Sequence, residues 1–168
     1  YELDATLEIP RSNVSLIIGK DATVRPAAGA RMTAVSGARG DYPALIRNRN
    51  RDGVNLINLG KLVFDDGHAF IFDGRAGGKN GIEGGLIFST GVLQNKKVVL
   101  IDCIDVKIPL MWGRNYTDSL MMMEGCEECP VGILAGLAGP GADPNQTLDL
   151  NAYNRLQHNS RRAVKKII

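Results

Sequence analysis

A short two-strand pattern recurs along this chain, and the repeat restricts the fold more than any other feature of the sequence. Each copy has a small residue, a short apolar strand, a polar turn and a second apolar strand. A leucine near the start marks each copy: Leu7, Leu45, Leu86, Leu120 and Leu148. The irregular intervals between these leucines predict coils of similar cross-section joined by loops of different lengths, which is the pattern of a solenoid.

The segment VNLINLGKLVF (54–64) shows why such coils would stack. Val54, Leu56 and Leu62 can face an interior while Asn55 and Lys61 face outward. One coil cannot bury its apolar side alone, but it can when the next coil lies about 4.8 Å away and the backbone hydrogen bonds run between coils. The pattern predicts an all-β solenoid of about four to five coils over 1–155. The basic segment 156–168 is then a cap, a further coil or a docking tail.

Composition narrows the classes of partner. The net charge of +2 does not indicate a nucleic-acid partner, and no apolar run is long enough to predict a membrane span. Because the chain begins at Tyr1, we expect either a processed protein or part of a longer one. The N-x-S/T sequons at Asn13, Asn115 and Asn145 are a weak indication of a secreted protein.

Two segments carry a family resemblance. YELDATLEIPRSNVSLIIGKDATVRP (1–26) and GLIFSTGVLQNKKVVLIDCIDVKIP (85–109) resemble coils of right-handed parallel β-helix proteins of the pectin-lyase-like superfamily. The resemblance covers roughly residues 1–155 and implies a right-handed parallel β-helix. It also implies a polysaccharide partner, bound or cleaved by a lyase or hydrolase, and an extracellular, secreted or virion-surface location. The alternative function is a non-catalytic shaft, as in phage tail spikes or adhesins.

The segment LEIPRSNVSLIIGK (7–20) also resembles the start of a KH RNA-binding domain. That family requires a G-x-x-G loop, but Gly19 is followed by Lys20, Asp21 and Ala22, so the second glycine is absent. Pro26 stands where a helix should follow. The solenoid interpretation is therefore preferred, and no nucleic-acid partner is predicted.

The family resemblance also suggests catalytic positions. Hydrolases of this superfamily use a pair of aspartates, whereas its lyases use Arg or Lys as the base, often with calcium held by carboxylates. DPNQTLDL (143–150) resembles the P-N-T-D-G-I-x-L motif of polygalacturonases, with Gln146 at the catalytic aspartate position and Asp149 at the next outward position. Asp149 is therefore a candidate, and calcium is the only cofactor for which the resemblance gives a reason.

Counting along the strands suggests a second set of catalytic candidates. The count places Asp21, Lys61 and Asp105 in one column across successive coils, with Asp102 and Lys107 close by. Such a column is either a surface salt-bridge stack that contributes little to stability or a site that pairs carboxylates with a base. Asp102, Asp105 and Lys107 are the catalytic candidates from this column.

Two predicted loops supply candidate substrate-binding residues. PLMWGRNY (109–116) contains Trp112, Arg114 and Tyr116, which are suited to stacking on sugars and pairing with carboxylates. The alternative is a loop that packs its tryptophan on the side of the solenoid. FDDGHAFIFDGR (64–75) offers, with its aspartates, a site for a cation or a uronate, or else a solvated corner; its candidates are His68 and Arg75.

The C-x-x-C formed by Cys126 and Cys129 lies at a predicted turn, and Cys103 follows a strand of the preceding coil. Three interpretations are open: buried or turn cysteines, one disulfide, and a metal or redox site. A zinc site would need a fourth ligand, for which only His68 and His158 exist. No metal site is predicted here. The expected partners are a polysaccharide and either a second copy of the chain or the remainder of a longer one.

Overall fold

The computed structural model describes residues 1–37, 40–65, 67–75, 81–94, 98–116, 120–138, 148–150 and 164–167. All the regular secondary structure in these residues is β-strand, and they contain no helix. Consequently no membrane-spanning helix occurs within the described ranges. The absence of helices there also excludes the KH interpretation for residues 7–37, because a KH domain needs a helix after its glycine loop.

The strands are short and follow one another closely along the chain. In order they are β1 (Glu2–Ala5), β2 (Leu7–Glu8), β3 (Ser15–Ile18), β4 (Thr23–Arg31), β5 (Ala34–Gly37), β6 (Gly40–Arg49), β7 (Val54–Asn58), β8 (Lys61–Val63), β9 (His68–Asp73), β10 (Ile82–Glu83), β11 (Gly85–Ser89), β12 (Val92–Gln94), β13 (Val98–Ile101), β14 (Cys103–Ile104), β15 (Lys107–Tyr116), β16 (Met121–Glu124), β17 (Val131–Ala138), β18 (Leu148–Leu150) and β19 (Val164–Ile167).

Two large sheets are built almost entirely from parallel pairs. The first sheet has the order β18-β16-β13-β9-β6-β2, so each strand pairs with the equivalent strand of the preceding segment. The second sheet contains a matching series, β3-β7-β11-β15-β17-β19, together with β1-β4-β8-β12, which joins it at β15. A third, two-stranded sheet pairs β10 with β14. The chain therefore returns repeatedly to the same sheets, one strand further each time.

Apolar side chains alternate between the interior and the outer face of these strands. In the first sheet, Phe70, Phe72, Leu100 and Met123 are buried in the main core, which is shared with residues of the second sheet such as Leu56. Burial of these apolar side chains stabilises the stack, at about 25 cal/mol per Å² of apolar surface removed from water.

The outer face of the first sheet is covered by an antiparallel hairpin formed by β5 and the start of β6. Val35 and Tyr42 from this hairpin form a second buried cluster with Ile71, Val99 and Met122. The Tyr42 hydroxyl donates to Met122 Sδ at 3.6 Å. This cover explains why β9 and β13 are buried on both faces and read in the sequence as continuous apolar runs.

The corners between strands carry residues in the left-handed backbone region. One corner stacks Asn13, Gly53, Gly84, Asp105 and Glu128, all with φ between 51° and 69°. Its backbone hydrogen bonds run from each corner residue to the next segment, for example from Asp105 N to Glu127 O. Glycine, asparagine and aspartate tolerate this region best, so the spacing of these residues in the sequence follows the corners.

Several sequence expectations are corrected by the register. Leu86 pairs with Asn55 in the second sheet, not with the strand that holds Leu45, so the third repeat unit was assigned out of phase. The predicted column of Asp21, Lys61 and Asp105 is also wrong, because Lys61 pairs with Thr23 and Val92 whereas Asp105 lies at another corner. Overlooking β9 displaced the third unit by one strand, whereas the first strand of the fourth unit, β16, lies in the first sheet with β2 and β6 as the repeat predicts.

Two predicted loops are largely strands. Residues 68–73 of the segment 64–75 form β9, and residues 109–116 lie within β15. Both stretches pair with a parallel neighbour on each side, which satisfies their backbone groups and favours the extended conformation. The basic tail contains β19, which pairs with β17. The predicted boundary at 155 and the PNQT part of the polygalacturonase-like motif lie outside the described residues.

Candidate functional site

A charged cluster formed by Arg47, Asp73, Arg75 and Glu124 lies on the outer face of the first sheet, beside the hairpin. Asp73 ends β9 and Glu124 ends β16, and both pair in register with Ile101, which ends the strand between them. Alternation directs these side chains outward, because the preceding residues Phe72 and Met123 face the core. The sheet register therefore determines the spacing of the two carboxylates.

Asp73 is the centre of the cluster. It is 4% exposed, and Arg47 Nη2 donates to its Oδ2 at 2.9 Å. The backbone N and the Nε of Arg75 both donate to Oδ1, each at 3.3 Å. Burial makes a carboxylate costly unless charged donors surround it, and here two guanidinium groups do so. Arg47 Nη1 also lies 3.5 Å from Glu8 Oε1.

Arg75 joins three parts of the structure. Its Nη1 lies 4.0 Å from Glu124 Oε1, while its Nε contacts Asp73. Its Nη2 donates to the backbone carbonyl of Ser36 in the hairpin. The Arg75 side chain is 35% exposed, so one guanidinium group both bridges the two carboxylates and reaches solvent.

An open cavity of about 390 Å³ lies beside the cluster, lined by Ala34, Val35, Ser36, Arg47, Asp73 and Arg75. Arg47 Nε is buried and has no hydrogen-bond partner among the described residues. A buried donor without a partner is costly. A ligand in the cavity would instead meet the partly exposed Arg75 guanidinium.

The structure brings one of the predicted substrate-binding residues, Arg75, into this cluster. His68 begins β9 and packs edge-on against Tyr42, with ring centroids 5.1 Å apart. Trp112 is half-buried in β15, in register with Ala135. Arg114 and Tyr116 are on the same strand, but their side chains lie outside the described part of the structure.

The predicted catalytic residues occupy corners and strand ends. Asp102 and Asp105 lie at the two ends of β14, with φ values of 48° and 53°. Lys107 is exposed at the start of β15. Asp149 is on β18, where it pairs with Met122 of β16. The Asp149 side chain lies outside the described part of the structure. The left-handed backbone conformation alone gives a reason for an aspartate at positions 102 and 105. The catalytic role of Asp102, Asp105, Lys107 and Asp149 stays a prediction.

Sequence reasoning missed Arg47 and Glu124, and it named Asp73 only among the aspartates of the segment 64–75 that could bind a cation or a uronate. A usable signal was present, because FDG (72–74) and MEG (123–125) share an apolar residue, a carboxylate and a corner glycine. Since both carboxylates stand at the same position of their strands, aligning the repeats by this triplet would have found the pair and corrected the phase of the units.

The three cysteines are buried in the interior, and no disulfide joins them. Burial raises the pKa of Cys103 and Cys126 above the ordinary value, and a hydrogen bond with Cys126 together with burial raises the pKa of Cys129. All three are therefore protonated at neutral pH, which disfavours a reactive thiolate. In the described ranges, no group of three or more His, Cys, Asp or Glu side chains is arranged to hold a metal ion.

Comparisons with protein-family models, curated proteins and solved structures find no match to this chain. The carboxylates of the charged cluster accept hydrogen bonds and its guanidinium groups donate them, which is the mixture that sugar hydroxyls require.

The Arg75 guanidinium lies between the two carboxylates of the cluster. Asp73 and Glu124 are two strands apart, roughly 10 Å between Cα atoms at the usual strand spacing. Inverting glycosidases hold their carboxyl groups about 6.5–9.5 Å apart, with a water and the scissile oxygen between them. Here the Arg75 guanidinium contacts both carboxylates and occupies that space.

Proposed function

We propose that the chain forms a right-handed parallel β-helix of the pectin-lyase-like type and that it binds a polysaccharide at the charged cluster. The parallel pairing of equivalent strands in both large sheets supports the architecture. The observation that carries the binding function is the half-exposed Arg75 guanidinium, held between Asp73 and Glu124 beside an open cavity. The function implies an extracellular, secreted or virion-surface location.

The charge balance of the cluster indicates which polysaccharides to expect. Two arginines face two carboxylates, and Glu8 contributes a third carboxylate at the edge. A uronate chain would therefore gain little net attraction, whereas neutral hydroxyl groups can pair with both kinds of side chain. We expect neutral glucans or related chains to bind at least as tightly as uronans. Calcium has no part in this binding mode.

Binding to a panel of neutral and uronate polysaccharides, measured by affinity electrophoresis and calorimetry, tests the proposal. Arg75→Ala removes the bridging donor and should weaken binding at least about tenfold, the loss expected for one charged hydrogen bond. Arg25→Ala is the matched control, because Arg25 is an exposed arginine paired with Glu2 away from the cluster. Equal affinity of Arg75→Ala and the unaltered protein, or no binding to any member, would contradict the proposal.

The same panel, assayed for new reducing ends and for unsaturated products, separates binding from catalysis. The position of Arg75 between the carboxylates predicts no hydrolysis above background. Products that depend on Asp102, Asp105, Lys107 or Asp149 would instead show that the residues predicted from the sequence form a catalytic site.

A second candidate function, a structural shaft, is favoured by one feature of the second sheet. Ile17, Ile57, Phe88, Leu110 and Ile133 lie in register across five strands on the outer face. Ile17 is 60% exposed and the other four are partly exposed. Such an apolar column suits lateral contact between shafts. Concentration-dependent association in analytical ultracentrifugation that Ile17→Asp abolishes would support this candidate.

A further inference from the structure

We propose that Cys103 and Cys126 are a disulfide-forming pair that can join two neighbouring strand segments covalently, with Cys129 remaining a thiol. The cysteines have no part in the charged cluster or in polysaccharide binding, so this inference is independent of the proposed function. It adds a redox modification site to the interior of the stack.

The sheet register places the two cysteines side by side. Parallel pairing runs from Val98 opposite Met121, through Ile101 opposite Glu124, to Ile104 opposite Glu127. Glu127 N donates to Cys103 O at 2.8 Å, which maintains the register across the corner. Cys103 and Cys126 are therefore directly opposite each other, with Cα atoms about 4.8 Å apart. Disulfides need Cα separations of about 4.4–6.8 Å and Cβ separations of about 3.5–4.5 Å. The Cα atoms already meet the first condition, and a small tilt of the two parallel side chains toward each other meets the second.

The two side chains have equivalent surroundings. Cys103 Sγ lies 3.5 Å from Ile101 O, and Cys126 Sγ lies 3.6 Å from Glu124 O, in each case two residues earlier. Each sulfur is also within hydrogen-bonding distance of a carbonyl of the preceding strand, at Phe72 or Leu100. These matching surroundings mean that both side chains point the same way into the core.

Cys126 also contacts Cys129, so a competing pair exists within the C-x-x-C. Glu128, between them, adopts φ of 51°, and Cys129 lies beyond this turn. Cys129 Sγ lies within hydrogen-bonding distance of Cys103 O and Glu127 O, both at 3.4 Å. The pair Cys103–Cys126 is favoured because it needs no change at the corner and closes the longer loop, which gives the larger stabilisation.

Oxidised glutathione is a sufficient oxidant. The Cys126 thiolate attacks one sulfur of glutathione disulfide, forming a mixed disulfide and releasing one glutathione thiolate. The Cys103 thiolate then attacks the Cys126 sulfur and releases the second glutathione. Two protein thiols lose their protons and are oxidised to one disulfide, while one glutathione disulfide is reduced to two glutathione molecules.

Burial sets the rate of this exchange. Both sulfurs are fully buried and burial raises the pKa of each thiol, so exchange requires local opening of the segments around residues 103 and 126. We therefore expect slow oxidation of the folded chain and equally slow reduction once the bond has formed.

The full chain is incubated to equilibrium in a buffer of oxidised and reduced glutathione, quenched by alkylation and mapped by mass spectrometry without reduction. We expect one Cys103–Cys126 disulfide and alkylated Cys129, with the midpoint of thermal unfolding raised by roughly 5–15 °C over the reduced chain. Three alkylated cysteines, or a Cys126–Cys129 bond, would overturn the proposal.

Two variants make the assignment independent of peptide mapping. Cys129→Ala should still lose two thiols to oxidation, whereas Cys103→Ala should keep its remaining thiols under the same conditions. Each variant is compared with its own reduced form, so any destabilisation by the substitution itself cancels. Retention of both thiols in Cys129→Ala, or disulfide formation in Cys103→Ala, would contradict the assignment.

Discussion

At the scale of single residues, Asp73 is a buried carboxylate that needs charged hydrogen-bond donors around it. It is almost fully buried, yet it accepts hydrogen bonds from two arginines and from a backbone amide. A buried ion pair of this kind contributes little net stability compared with apolar residues, but it is costly to break from one side. The carboxylate is thus a structural requirement of the cluster as well as part of the proposed binding site.

Asp73→Asn should destabilise the protein by roughly 3 kcal/mol, because it leaves the buried Arg47 guanidinium with only the more distant Glu8 as a charged partner. Glu2→Gln is the control: it removes a carboxylate from an exposed pair with Arg25 and should cost less than about 1 kcal/mol. Urea unfolding of both variants measures the difference. Similar losses in the two variants would show that the Asp73 pair is not buried in solution.

Asp102 and Asp105, at two corners of the chain, are explained by backbone conformation and not by an ion pair as Asp73 is. Asp102 and Asp105 were selected from the sequence as catalytic because acidic residues close together suggest chemistry. Their left-handed backbone conformation provides a reason for them that involves no substrate. Sequence alone cannot separate the two explanations, because the φ angle that favours aspartate is set by the corner and not by the neighbouring residues.

At the scale of elements, close contact between neighbouring strands requires a glycine at one position. Gly85 begins β11 with φ of 116°, and a Cβ there would lie 2.4 Å from the carbonyl oxygen of Val54, its partner in β7. Gly84, the adjacent residue, has φ of 69° and no atom within 4 Å of an added Cβ. An alanine at Gly84 therefore adds only the free-energy cost of a positive φ. An alanine at Gly85 adds a steric clash with β7 to the cost of a positive φ.

Gly84→Ala should cost about 1–2 kcal/mol, the price of a left-handed conformation for a residue with a Cβ. Gly85→Ala should cost roughly 2 kcal/mol more, because the β7 backbone would have to move away from β11. The free energies of unfolding in urea give the comparison. Equal costs, or a larger cost for Gly84→Ala, would mean that β11 does not lie against β7 at Gly85.

The strands also show how much of the fold was predictable from sequence. The all-β class and the parallel sheets followed from short apolar runs separated by Gly, Asn and Asp, and both are confirmed. The phase of the third unit was not, because HAFIFD (68–73) has no alternation to mark it as a strand. It lacks alternation because the hairpin buries its outer face, a tertiary effect that a local pattern does not contain.

The candidate site was less predictable than the fold for a related reason. Arg75 was identified from local composition, but its partners Arg47 and Glu124 come from strands far away in the sequence. Only a correct register brings these three residues together. The error in phase therefore led directly to the wrong charged column, in which Lys61 was expected beside Asp105.

At the scale of the whole molecule, equivalent segments advance by one strand per repeat. This advance is visible on the outer face of the second sheet, where one residue from each of five successive strands lies in register: Ile17, Ile57, Phe88, Leu110 and Ile133. The same advance determines the spacing of Asp73 and Glu124 and brings Cys103 next to Cys126. The proposed β-helix, the binding site and the disulfide pair all follow from it.

Distances between spin labels on cysteines introduced at Ile17, Phe88 and Ile133 test this advance most directly. The native cysteines are buried, and labelling of the unaltered protein controls for their reactivity. Two strand steps separate Ile17 from Phe88 and four separate it from Ile133, so we predict roughly 10 Å and 19 Å between the labelled backbone positions. Similar distances for the two pairs, or a shorter distance to Ile133 than to Phe88, would contradict the stacked arrangement.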